Sequence, residues 1–161
     1  MLPVSQDPYR EMVQRNGWAA MTVDRAIRRA SEDPELPPQC KDHFYRAFTV
    51  QRTEDIYAAV LRDYFSPVEA DEFVAFLRTA VGAKFATREF ESPLTREELR
   101  VYAAFGRSAA AASFQRFAAS GMPKVQESIL SMAIVLGAEC GETMLRDGRS
   151  TPPIERISSI G

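Results

Sequence analysis

His43 is the only histidine in a chain of 161 residues, so any histidine-dependent nucleophilic mechanism has to be built on it. Cys40 lies three residues earlier, and a helix would put the two on one face, as a thiol–imidazole pair requires. The surrounding periodicity points elsewhere. Cys40, Phe44 and Phe48 fall at i, i+4 and i+8 and draw an apolar stripe. His43 sits at the polar border of that stripe beside Asp42, which makes Cys40 a buried thiol and His43 a border residue. One histidine and two distant cysteines also fall short of a closed zinc set. Glu69 with Glu72, and Asp71 with Glu98, place acids at helical spacing or in register between two segments. They lack the Glu-x-x-His partners of a di-metal carboxylate bundle and read as helix caps and a solvated face. Gly137-Ala138-Glu139-Cys140-Gly141 matches no phosphate-cradling fingerprint and reads as close helix packing or the fraying of the last helix. No catalytic, metal or cofactor residue is assigned, and the chain is expected to be non-enzymatic.

The elements behind these residues are helical. Met12, Val13, Asn16, Ala20, Val23, Ile27 and Ala30 draw a stripe along a first helix over 8–31, with Gly17 as the point where it can divide. Asp33-Pro34 and Pro37-Pro38 end it, and Pro38 opens the next helix at its first turn. Thr53-Glu54-Asp55-Ile56 starts a third helix, with acids at its positive end. Ser66-Pro67-Val68-Glu69 combines a cap serine, a proline at N1 and a glutamate at N3, the signature of a capping box. Thr95-Arg96-Glu97-Glu98 repeats that box 29 residues later. The echo continues: Phe73 matches Tyr102, Phe76 matches Phe105, Arg78 matches Arg107, Thr79 matches Ser108 and Phe85 matches Phe114. Gly121-Met122-Pro123 predicts a break. A last helix follows over 124–146, apolar on most sides between Ile129 and Leu136, as expected of a helix surrounded by others. Together these predict an all-α, single-domain bundle of about six helices over 1–146 with one internal helical repeat, and a flexible tail over 147–161.

Composition removes several function classes. A net charge of −2 provides no basic field for nucleic acid. The most apolar run, Ile129 to Cys140, contains Ser131 and Glu139 and is too short to span a bilayer, so no transmembrane segment is expected. The first residues lack the basic start and apolar middle of a signal peptide, although a leader removed before Met1 is compatible with the sequence. Cys40 and Cys140 stand 100 positions apart. In a reducing compartment they are two apolar thiols, and in an oxidising one they can pair, with ~4–5 kcal/mol of stabilisation in the chain-entropy account. The sequence leaves both open. Trp18, the sole tryptophan, falls off the first stripe. It reads either as an exposed anchor for a partner or as a cover for the Gly17 break. Ten phenylalanines and five tyrosines, many on the repeated stripes, are core residues or the lining of an apolar pocket.

The segment from Gln51 to Phe114 resembles the bacterial domain-of-unknown-function family twenty fifty-nine. The resemblance rests on an acid-rich cap followed by an aromatic helix with Phe-x-x-Thr/Ser-x-x-Gly, here within Phe73 to Phe85. The second copy departs from the pattern, because Ala111 replaces the glycine. The resemblance implies a small helical protein exported to the bacterial envelope, with its signal peptide removed, and it implies no reaction. It also favours pairing of Cys40 with Cys140. The expected function is a periplasmic protein-binding module, most concretely an immunity-type inhibitor or adaptor that occludes a toxin or envelope enzyme through Trp18. The alternative is a carrier or sensor of an apolar ligand held between the repeats.

Overall fold

The structure, a computed structural model, describes residues 7–89 and 93–146. Every regular element among them is helical. The expected first helix is two: α1 (Pro8–Asn16) and α2 (Trp18–Glu32). Gly17 separates them in the left-handed region (φ +66°), where glycine bears little steric cost. Asp7 caps α1 by accepting the Tyr9 N–H. α3 (Pro38–Ala47) begins on its proline as the sequence predicts. α4 (Val50–Tyr64) starts earlier than expected: Thr49 is the cap, accepting the Arg52 N–H, and Thr53 is buried one turn inside.

Each aromatic segment of the echo is also split. α5 (Pro67–Leu77) and α6 (Ala80–Thr87) are separated at Thr79; α7 (Arg96–Gly106) and α8 (Ala109–Arg116) are separated at Ser108. Both hydroxyls cap the helix that follows them. These divisions turn the expected six helices into a larger set of shorter ones. At Gly121-Met122-Pro123 the opposite occurs. A π-turn over Phe117–Gly121 carries α8 into α9 (Met122–Arg146), with the Met122 N–H donating to the Phe117 carbonyl. The wider turn absorbs the missing donor of Pro123, so the helix runs on without a break. The result is one 38-residue rod, Ala109–Arg146, which by length and composition alone is long and apolar enough to cross a membrane. In the molecule, 35% of its most apolar 18-residue window is buried against other helices. The run Ile129 to Cys140 is by itself too short to span, but the helix that carries it is not.

Two apolar cores result among the described residues. The larger gathers Tyr9, Met12, Val13, Leu61, Phe65, Phe73, Phe76 and Phe117 from α1, α4, α5 and the π-turn. The smaller is Val23, Phe48, Met132 and Leu136, under α2, α3 and α9. Residues 147–161, read as the tail, lie outside the described residues.

Candidate functional site

The residues singled out for chemistry are used in packing. Cys40 and Cys140 are buried with their sulfurs at disulfide distance and their Cα atoms 5.6 Å apart, fastening α3 to α9. The thioether of Met144 rests 3.6 Å from the Cys40 sulfur. His43 Nε2 lies 3.0 Å from Glu139 Oε2, one turn along the same α3–α9 seam. With Cys40 facing Cys140 and His43 facing Glu139, the thiol and imidazole serve two separate contacts rather than one dyad. Among the described residues no three His, Cys, Asp or Glu side chains gather as a metal would need.

Trp18 is half-buried, its ring stacked at 5.8 Å on Tyr57, 6.3 Å on Phe114 and 5.6 Å on Phe117. Gly17 causes this: by ending α1 it restarts the helical phase, so an indole off the first stripe lands on the core side of α2. Tyr57, beneath it, shares a 2.9 Å hydrogen bond with Thr22, and burial raises the phenol above its usual value.

The Phe-x-x-Thr-x-x-Gly motif now has a physical content. Thr79 Oγ1 donates to the Phe76 carbonyl at 2.6 Å and accepts the Gly82 N–H at 3.0 Å, so one hydroxyl closes α5 and opens α6. A Cβ on Gly82 would overlap the Phe76 carbonyl oxygen and come within 2.6 Å of its carbon. Glycine is what lets α6 fold back this tightly. Ser108 repeats both bonds, to the Phe105 carbonyl at 2.6 Å and from the Ala111 N–H at 3.1 Å.

The contacts between the two segments are reciprocal under the 29-residue offset. Glu69 caps α5 and accepts the Ser113 hydroxyl at 2.7 Å; Glu98 caps α7 and meets the Lys84 ammonium at 2.8 Å. Position 84 corresponds to 113, and 69 to 98. Phe76 stacks on Phe105, its own counterpart, at 3.9 Å and 3°. The Phe73–Phe105 contact (5.3 Å) corresponds to Phe76–Tyr102 (6.5 Å), and Phe73–Phe114 (5.3 Å) to Phe85–Tyr102 (6.5 Å). The Ser66 N–H, then the Ser113 hydroxyl, hold the Glu69 carboxyl below the ordinary glutamate range; for Glu98 the Lys84 ammonium leads, followed by the Thr95 N–H. Stacked rings thus fill the space between the two segments. The acids weighed as a metal pair are also divided in role, since Glu69 and Glu98 are caps while Asp71 and Glu72 are exposed.

Sequence reasoning missed the outer side of α9. Val125, Met132, Leu136 and Cys140 face inward. Leu130, Ile134 and Val135 are exposed on the opposite side, so among the described residues α9 is not surrounded as its all-round apolarity suggested. That apolarity was the available signal: a helix apolar on all sides with one side in water has an uncovered face. No protein-family model, no curated protein and no solved structure matches this chain.

Proposed function

We propose that this chain is a non-enzymatic helical module of the bacterial envelope that binds another protein, of the immunity-inhibitor or adaptor kind, and that α9 presents the binding surface. The observation that carries the reading is the exposed row Leu130, Ile134 and Val135 on a helix fastened from behind through Cys40 and Cys140. A rigid support with apolar side chains in water is the composition of an interface core, and such a surface needs complementarity rather than chemistry. A buried cysteine pair across 100 residues supports an oxidising compartment. The reciprocal caps and ring pairs support reading α5–α6 and α7–α8 as two copies of one helical unit.

The test is affinity capture of the tagged chain from separated compartments with thiols alkylated, alongside a Leu130→Ser/Ile134→Ser/Val135→Ser variant. One stoichiometric protein partner in the envelope fraction, lost from the variant while its helical circular dichroism is unchanged, is the expected result. A lone chain, a partner retained by the variant, or binding to bare phospholipid vesicles instead of protein would overturn the reading.

A further inference from the structure

Between Lys124 and Arg146, α9 holds three glutamates and no lysine or arginine. Glu139 is turned to the α3 seam, where it meets His43. Glu127 and Glu142 are exposed, and neither forms an ion pair among the described residues. Lys124, three residues before Glu127, stands over the Tyr64 ring at 5.2 Å. Arg146 lies one turn past Glu142 without pairing to it.

The two carboxylates bracket the apolar row. Glu127, Leu130, Ile134, Ala138 and Glu142 follow steps of three, four, four and four, a line along one side of the helix. Leu130 is 43% exposed, Ile134 41% and Val135 51%. Ser131 and Ala138, small and beside them, let a second helix come close between the large side chains. Glu127 and Glu142 stand fifteen residues apart, about 22 Å along a helix.

This pattern selects an occupant. A helix that lies on a membrane flanks its apolar side with lysine and arginine, and an anionic lipid surface repels carboxylates placed there. The same acids oppose a second copy. Antiparallel pairing centred on the row sets Glu127 of each copy against Glu142 of the other, and parallel pairing sets each acid against itself. The face is complementary to a helix that is apolar along its middle and basic at both ends.

We infer that the partner protein lays on α9 an amphipathic helix whose apolar stripe is bracketed by lysine or arginine about fifteen residues apart, opposite Glu127 and Glu142. Apolar burial supplies the attraction, and the two carboxylates select the partner and speed its encounter. The inference rests on α9 as the binding surface and adds the chemistry of what it binds.

The probes are three fluorescent stapled helical peptides that share one leucine stripe and carry arginine, glutamine or glutamate at two positions spaced as Glu127 and Glu142 are. Each is titrated by anisotropy against the full chain, against Glu127→Lys/Glu142→Lys and against Leu130→Ser/Ile134→Ser/Val135→Ser, all checked for unchanged helical circular dichroism. The parent should bind the arginine peptide saturably and about tenfold more tightly than the glutamine peptide. The lysine variant should prefer the glutamate peptide, and the serine variant should bind none. Equal binding of the three peptides by the parent, or a preference that the lysine variant does not invert, overturns the inference; loss of binding in the serine variant then leaves the α9 surface standing. Binding undiminished in the serine variant refutes the surface itself, and the inference with it. No saturable binding of any peptide also overturns the inference. So does a dimer in sedimentation that the serine variant dissolves, or binding to phosphatidylglycerol vesicles, which would give the face to a second copy or to lipid.

Discussion

Replacing Gly82 by alanine sets two effects of opposite sign against each other. In an open helical turn the change is stabilising by about 0.5–1 kcal/mol, because alanine loses less backbone freedom on folding. Here the new methyl overlaps the Phe76 carbonyl oxygen and sits 2.6 Å from its carbon and 2.8 Å from Leu77 Cα. Ordinary contact begins at 3.4 Å, so the carbon contact alone requires α6 to withdraw by 0.8 Å from the end of α5, and the overlap with the oxygen requires more. The obstacle is backbone, and no side chain can swing aside. Withdrawal weakens the Gly82 N–H bond to Thr79, about 1 kcal/mol, and unseats Val81 and Phe85 from the larger core, about 2–3 kcal/mol. The net expectation is a destabilisation of roughly 2–3 kcal/mol, or about 5–10 °C in melting temperature. Urea unfolding followed by circular dichroism measures it, with equal denaturant slopes required for the comparison. Ala111→Gly is the internal control: it changes the corresponding position of the second segment and should cost only about 1 kcal/mol, from propensity. A Gly82→Ala protein as stable as the parent, or more stable, would refute the assignment of the motif glycine to close approach.

The cap carboxylates predict an acid dependence. Glu69 and Glu98 titrate below the ordinary glutamate value when folded, so their stabilisation is complete above the unfolded value of 4.5 and drains as pH falls through the lower folded values. A Glu69→Gln/Glu98→Gln protein should lose stability near neutral pH and show a flatter acid limb, measured as melting temperature from roughly pH 6 to 3; an acid limb parallel to the parent's would contradict the assignment. Replacing Cys40 and Cys140 together by serine should cost about 4–5 kcal/mol for a loop of 100 residues. Amide exchange should then appear first in α3, and a loss under about 1 kcal/mol would remove the pair from the stabilising features.

The start signals are legible because they are local. Ser66 with Glu69 and Thr95 with Glu98 form the boxes their spacing predicts, and Pro38 opens α3. The divisions at Thr79 and Ser108 are not, since a hydroxyl within an aromatic stripe is compatible with an unbroken helix until its partner carbonyl is located. Pro123 misleads in the other direction: proline predicts a break, and the π-turn that accommodates it leaves no mark in periodicity. A stripe extended across Gly17 puts Trp18 on the wrong side, because the helical phase resets there. The outer row of α9 depends on which neighbours the fold supplies, and hydropathy alone does not say that.

The two apolar cores meet at only a narrow seam. Among the described residues, Ile56 of α4 and Ile129 of α9 are partly buried hydrophobics packed against both. α9 feeds Val125 to the larger core and Met132 and Leu136 to the smaller, crossing the seam as one continuous rod. Two cores joined this narrowly form units of unequal size, and the smaller is expected to open while the aromatic unit stays closed. Leu130 and Ile134 lie within five residues of Ile129 on that rod, so a protein gripping them holds the joint between the units. Its grip would be felt as slower hydrogen exchange in α2 and α3, helices it does not touch.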